Sequence, residues 1–343
     1  MTPLLHYPAE SVGTAASAGP IVSVTGGTGF IGSQLVHRLV GDGLRVRVLT
    51  RRPRRVLPAP LQATSVEIVG GEIHDADAVT RLVDGASTVY HLAGCAKPWS
   101  RDPDEFHRVN VVGTRTVCDA CATAGRPRLV HVSTNLVEIE GHPERLLTAY
   151  QRTKLEGEDV VRAFVDAGGD AVIVRPSRVY GPGLLTTANA VTRIARLYRA
   201  GLFRTRLADG DARGNYVHIE DLVSGMMAAA AHGVAGDAYM LGGEDATFRE
   251  FLAALSAITG HSRVVLALPP VFARAAAGTF EALTIFGIAP PITREWVNLY
   301  LLDWPSSSEH ARSVLEYTPR SLREGLAHTV AWLEAGCPLW TNS

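Results

Sequence analysis

From residue 21 onward, short apolar runs alternate with stretches whose apolar residues recur at helical spacing. Ile21-Val22-Ser23-Val24 opens the series. Ser33–Val40 follows, with Leu35, Val36, Leu39 and Val40 on one helical face. Further β-rich runs stand at Arg45–Thr50, Val66–Val69, Thr88–Ala93, Arg128–Ser133 and Ala171–Arg175, with helical patterns between them. Near-continuous apolar strands are buried on both faces, so the alternation predicts an α/β fold with a doubly wound parallel sheet. Beyond Pro176 the pattern loosens, and Tyr216–Ile219 and Ala238–Leu241 read as later returns to that sheet. The expected organisation is a flexible tail over 1–19, a Rossmann-type sheet domain over 20–175 and 215–242, and a smaller, mostly helical substrate lobe over 176–214 and 243–335.

With 343 residues, 46% of them hydrophobic, the chain has ample material for such a core. Its net charge of −1 offers no electrostatic case for nucleic acid or an anionic membrane as partner. Every long apolar stretch is broken by charge, Gly or Pro, so no membrane span is predicted. The segment up to Gly19 lacks a basic start followed by an apolar core, which argues against a secretory signal and for a cytoplasmic protein. Cys118 and Cys121 form a Cys-x-x-Cys within a helical pattern, where small residues packing a helix account for them better than metal or redox chemistry; no metal site is expected.

The first strand runs into Thr25-Gly26-Gly27-Thr28-Gly29-Phe30-Ile31-Gly32. A strand, a glycine turn and a helix N-terminus together hold a dinucleotide pyrophosphate, through close backbone approach, open N–H groups and the positive end of the helix dipole. Gly26, Gly29, Phe30, Ile31 and Gly32 are the candidate contacts. The second strand ends Leu49-Thr50-Arg51-Arg52, with Arg54 and Arg55 behind it and no acid to bind adenosine ribose hydroxyls. A guanidinium suits a 2′-phosphate, so Arg51 and Arg52 favour NADP(H), with NAD(H) as the alternative. Arg54 and Arg55 read as a solvated loop.

Tyr150 and Lys154 lie one helical turn apart on one face. A free phenol titrates near 10, and a nearby positive charge lowers that value towards use as an acid/base. The preceding strand ends His131-Val132-Ser133-Thr134, offering hydroxyls to orient a carbonyl oxygen.

Together these motifs resemble the short-chain dehydrogenase/reductase superfamily in its extended branch. Further matching segments run almost the length of the chain from Ile21 to Trp332: His91-Leu92-Ala93-Gly94, Asn110-Val111-Val112-Gly113-Thr114, Arg175-Pro176-Ser177-Arg178-Val179-Tyr180-Gly181-Pro182-Gly183, His218-Ile219-Glu220-Asp221-Leu222 and Leu315–Arg320. The resemblance implies that Tyr150 is the acid/base, that Lys154 tunes it and holds the nicotinamide ribose, and that Thr134, with Ser133 as the fallback, orients the carbonyl. It also implies cofactor contacts from Ala93 and from the backbone around Pro176 to Val179. A homodimer through the helices bearing Asn110 and Tyr150 is plausible on the same ground.

Two branches of the superfamily compete. Sugar-nucleotide epimerases and dehydratases usually carry Asn where this chain has Arg178, and Arg-Asp where it has Gly214-Asn215. Glu138 likewise stands where many epimerases place a tyrosine. The sequence is more similar to the 3β-hydroxysteroid dehydrogenase and dihydroflavonol-reductase-like branch. That implies a ketone/secondary-alcohol oxidoreductase for a largely apolar small molecule: steroid-, flavonoid-, polyketide- or terpenoid-like. A nucleotide-sugar enzyme is the alternative, and a non-catalytic NADPH sensor is a remote one, since sensors typically lose the Tyr/Lys pair. Arg178 either meets an anionic substrate group or stands as a surface arginine. The apolar stretch from Leu266 to Ile288 either lines a pocket or packs as an ordinary helix on the sheet. Trp296, Tyr300 and Trp304 are open in the same way. Only fifteen residues separate Thr134 from Tyr150, which predicts an open site or a lid from the C-terminal lobe.

Overall fold

The computed structural model describes residues 19–52, 57–62, 65–139, 143–145, 148–186, 189–208 and 210–337. The expected tail lies outside these except for Gly19, as do Arg54 and Arg55.

Twelve strands follow in chain order: β1 (Ile21–Thr25), β2 (Arg45–Thr50), β3 (Val66–Gly70), β4 (Ala86–His91), β5 (Arg128–Val132), β6 (Ala171–Pro176), β7 (Arg178–Tyr180), β8 (Thr205–Leu207), β9 (Arg213–His218), β10 (Ala238–Leu241), β11 (Glu244–Thr247) and β12 (Leu266–Leu268). Seven of them form one parallel sheet in the order β10-β6-β5-β4-β1-β2-β3. The order reverses between β1 and β4, which makes the carboxyl ends of those strands the switch-point crevice where ligands of such sheets bind. Helices cover both faces. Val24, Leu35, Val46, Val174 and Ile219 belong to the core on one side, and Val79, Leu82, Val117, Leu129 and Ile173 to the core on the other.

One strand departs from expectation. β9, read from the sequence as a return to the central sheet, pairs instead with β7 in parallel and with β11 antiparallel, forming a separate three-stranded sheet. The apolar run predicts a strand correctly but carries no information about its partner. Pro176 ends β6, and one residue later β7 starts the small sheet that β9 joins. β10 does return, pairing with β6. Among the described residues no helix is long and apolar enough to cross a membrane.

Candidate active site

At the switch point, β1 runs into the glycine turn and then into helix Phe30–Gly41. Gly26 adopts φ 70°, and a Cβ there would stand 2.6 Å from the Ala93 nitrogen. At Gly32 a Cβ would stand 2.3 Å from the Gly26 carbonyl oxygen, so the helix can seat on the turn only with glycine at this position. Gly29 caps the helix without a side-chain hydrogen bond, leaving the first-turn N–H groups of Phe30 and Ile31 with no side-chain acceptor. The Thr25 hydroxyl accepts the Ala93 N–H at 3.1 Å and meets His91 Nδ1 at 2.8 Å, while His91 Nε2 meets the Thr114 hydroxyl at 3.0 Å. This chain fixes the end of β4 beside the turn. Burial first, and the charge of Lys154 second, bring His91 down to about 3, so the ring is neutral. A backbone cradle that any added Cβ would fill, at an uncapped helix N-terminus, fits a dinucleotide pyrophosphate.

Arg51 and Arg52 follow β2 at the crevice with exposed side chains, and the Arg52 N–H is held by the Thr50 hydroxyl at 3.1 Å. Pro176 and Val179 are buried at the end of β6 and within β7.

Helix Ala149–Asp166 carries Tyr150 and Lys154. Its start is pinned by a capping box in which Thr148 and Gln151 bond each other's backbone N–H. Gln151 Nε2 also donates to the carbonyls of Leu136 at 2.9 Å and Arg145 at 3.0 Å. The helix is thereby tied to the loop leaving β5, and the phenol of Tyr150 meets the hydroxyl of Thr134. Burial raises the Tyr150 phenol above its ordinary value, and the Thr134 hydrogen bond opposes that rise.

The Ser133 hydroxyl is buried and makes no hydrogen bond within normal reach, though it helps to lower the pKa of nearby Glu158, a buried carboxylate gripped by Arg175 through contacts of 2.9 and 2.7 Å. Burial alone would raise the Glu158 carboxyl. The Arg175 guanidinium outweighs it and, with Ser133 and Arg162, holds the carboxyl below the usual range. Arg175 also reaches Glu138 at 3.6 Å. Of the two candidate hydroxyls, only that of Thr134 meets the phenol.

Lys154 is buried, and its Nζ donates to the Val132 carbonyl at 2.7 Å. Burial brings the ammonium down to about 8, partly opposed by Glu158. In this arrangement Thr134, rather than Lys154, eases ionisation of the phenol. Asn110, in a single π-turn over Arg108–Val112, accepts the Cys95 N–H at 2.7 Å and donates to the Thr153 hydroxyl at 2.9 Å. It thereby locks the loop after β4 to the Tyr150 helix; π-turns of this kind recur at functional sites. Cys118 and Cys121 are buried in helix Gly113–Thr123, both pushed up to about 12 by burial, and neither belongs to the site.

Tyr150 opens onto a cavity of about 620 Å³. One wall comes from the loop after β4, with Lys97, Trp99 and Phe106, and the opposite wall from the C-terminal lobe, with Thr293, Arg294 and Trp296. Trp296, open to either role on sequence, is a wall residue stacked on Tyr150, and Tyr300 packs on Trp296 at 5.8 Å. Trp304 is core, its indole donating to the Leu299 carbonyl. Arg178 is half-buried, its guanidinium over the rings of Tyr216 and Tyr300 and 3.2 Å from the Tyr216 hydroxyl, with no carboxylate partner among the described residues. The walls at Trp99 and Phe106 had no sequence signal, because nothing local marks a loop as facing a helix nearly two hundred residues away.

The stretch from Leu266 to Ile288 neither lines the cavity nor packs as an ordinary core helix. Only Glu281 of it reaches the wall, and its large apolar side chains face outward. Composition alone cannot tell an inward face from an outward one.

Fold, cradle and the Tyr150 helix together define a nucleotide-dependent enzyme of the extended short-chain dehydrogenase/reductase type. The chain belongs to the NAD dependent epimerase/dehydratase family, whose model matches residues 22–242. It is similar to a ceramide reductase of Caulobacter vibrioides, 32% identical over 94% of this chain and 96% of that one. A putative dihydroflavonol 4-reductase of Synechocystis is 29% identical, over 91% and 94% of the two chains. Among solved structures, MoeE5 in complex with UDP-glucose and NAD superposes with a TM-score of 0.71 at 27% identity, covering 93% of this chain and 99% of that one. The protein is accordingly an NAD(P)-dependent enzyme acting on CH–OH/C=O groups.

Proposed function

We propose that this protein interconverts a ketone and a secondary alcohol on a largely apolar small molecule, with NADPH as the preferred cofactor. The observation that carries the proposal is Tyr150, its phenol eased by Thr134, at the wall of an aromatic-lined cavity whose size suits a drug-sized ligand. In reduction, the Thr134 hydroxyl donates to the substrate carbonyl oxygen and orients it, and the Tyr150 phenol delivers the proton to that oxygen. The nicotinamide, when bound, supplies the hydride, or takes it in oxidation. Lys154 carries a positive charge below its pKa of about 8 and stands one turn from Tyr150, where it would hold the nicotinamide ribose while Thr134 eases ionisation of the phenol. Trp296, Trp99 and Phe106 exclude water and hold the apolar body of the substrate. Exposed Arg51 and Arg52 at the end of β2, with no ion pair of their own among the described residues, support the 2′-phosphate and hence NADPH. The reductases among the relatives favour the same chemistry.

A second reading, a nucleotide-sugar epimerase or dehydratase, has one observation in its favour. The guanidinium of Arg178, without a carboxylate partner, could meet an anionic substrate. It is, however, already engaged by two tyrosines.

The test is cofactor absorbance at the nicotinamide band with NADPH and NADH, against two substrate panels. One panel holds apolar cyclic and long-chain ketones with their alcohols, and the other holds nucleotide sugars, with epimerised product assayed separately. Ketone turnover with NADPH preferred is the expected result. Turnover of nucleotide sugars alone would replace this assignment with the second reading.

A further inference from the structure

The chain's net charge of −1 conceals a strong local imbalance. The segment 204–208 carries Arg204 and Arg206 and no acid, and the segment 260–295 carries Arg263, Arg274 and Arg294 against the acids Glu281 and Glu295. Glu281 is already paired with Arg294 at 2.7 Å. The two segments meet in space, because β8 pairs with β12 and the Leu266 N–H bonds the Arg204 carbonyl at 2.8 Å.

The same edge of the lobe carries large apolar side chains in solvent. Val264 is 72% exposed, Leu266 64%, Phe272 62%, Ile285 81% and Phe286 74%. Helix Pro270–Ala282 is inverted relative to an ordinary surface helix: two alanines, Ala273 and Ala277, pack inward, while Val271, Phe272 and Phe280 face out. Exposed large apolar side chains gathered on one lobe mark an interaction site. Exposed Arg204 and Arg274 neighbour these residues in sequence, Arg274 Nε donating to Asn298 Oδ1 at 2.8 Å, and neither is in an ion pair among the described residues. The patch also borders the cavity. Arg101 Nη2 bonds the Gly287 carbonyl at 3.0 Å, joining the Ile285–Phe286 turn to the loop whose Lys97 and Trp99 form the near wall.

We propose that this edge of the C-terminal lobe docks on an anionic lipid bilayer surface. Phe272, Ile285 and Phe286 would enter the interface while the arginines meet lipid phosphates. Charge argues for that occupant over a second copy of the chain. A two-fold contact would bring each basic edge against itself, whereas an anionic leaflet attracts it. Docking in this pose turns the cavity rim towards the bilayer. The surface rests on the geometry of the lobe alone, and binding is read without turnover, so its failure and that of the assigned reaction are separable.

The experiment is co-sedimentation of the full chain with vesicles of phosphatidylcholine alone and of phosphatidylcholine mixed with phosphatidylglycerol, at low and high salt. The expected result is binding to the mixed vesicles only, weakened by salt. The double variant Arg204→Glu, Arg274→Glu should lose at least about tenfold in partition, since each basic residue near the surface is worth about fivefold. The variant Phe272→Ser, Ile285→Ser, Phe286→Ser should lose most of the bound fraction, with melting temperature and NADPH affinity of both variants unchanged. No binding to either vesicle would overturn the proposal. So would binding that ignores lipid charge and salt, or a concentration-dependent dimer that the triple variant abolishes, which would assign the face to a second copy.

Discussion

The ring of Trp296 lies stacked on that of Tyr150, with centroids 6.2 Å apart and planes inclined by 26°. The contact joins the C-terminal lobe to the helix that carries the proposed acid/base, and it closes a cavity that the short segment between Thr134 and Tyr150 would leave open. A stacked pair contributes about 0.5–1.5 kcal/mol beyond its buried area, so Trp296→Ala should raise KM for an apolar ketone by about three- to tenfold, with little change in kcat. Trp296→Phe should restore most of the loss. A large fall in kcat at unchanged KM would show that the indole positions the phenol rather than the substrate.

The two hydroxyls at the end of β5 should separate cleanly. Thr134 meets the Tyr150 phenol, and Thr134→Val removes a donor aimed at the reacting oxygen, with an expected loss of about a hundredfold in kcat. Thr134→Ser should keep most of the activity. Ser133 serves the Glu158–Arg175 pair instead, so Ser133→Ala should leave kcat within a few-fold and show its effect in thermal stability. Equal kinetic losses at both positions would contradict this division.

Cofactor choice is assigned to the end of β2. Arg51→Ala should raise KM for NADPH by about ten- to a hundredfold while leaving KM for NADH unchanged, because a charge-assisted contact to phosphate contributes about 1.5–3 kcal/mol. Steady-state kinetics with both cofactors check this, and a parallel loss for both would move Arg51 out of phosphate binding.

Acid should unfold the protein through its buried histidines. Burial lowers His91 to about 3, His218 to about 2 and His131 well below its ordinary value. Each folded-state value lies below the unfolded one, so the unfolded chain binds more protons as pH falls. Their contribution to stability is intact above about pH 6.5 and is lost progressively below it. Three such groups give a slope approaching about 4 kcal/mol per pH unit near pH 5. Denaturant unfolding between pH 7.5 and 5 measures it. A slope cut by a third would mean that one of these rings is charged in the fold, and a flat profile that all three are.

Much of the site was legible from local spacing. The glycine turn, the Tyr150–Lys154 interval and the hydroxyls ending β5 are patterns a few residues long, and helix and strand geometry fix how such residues sit relative to one another. Legibility ended where partners are distant in sequence. The apolar run of β9 marks a strand but not its sheet: in place of the expected return to the central sheet, it pairs with β7 and β11. Trp296 was ambiguous because hydrophobicity does not say which neighbour a ring will meet. The stretch from Leu266 to Ile288 looked fit for a pocket or a buried helix face, yet the fold turns its large side chains outward and leaves two alanines to pack. The whole-chain charge likewise hid a basic edge that appears only when β8 and β12 come together.

The most direct measurement is turnover of a ketone substrate by Tyr150→Phe, followed at the nicotinamide absorbance, beside NADPH affinity from fluorescence quenching. The substitution removes one oxygen and keeps the ring that stacks on Trp296. The expected result is a loss of about a thousandfold in turnover with NADPH affinity nearly unchanged. Turnover retained in the variant would contradict Tyr150 as the proton donor, and joint loss of turnover and NADPH binding would make the phenol a structural group.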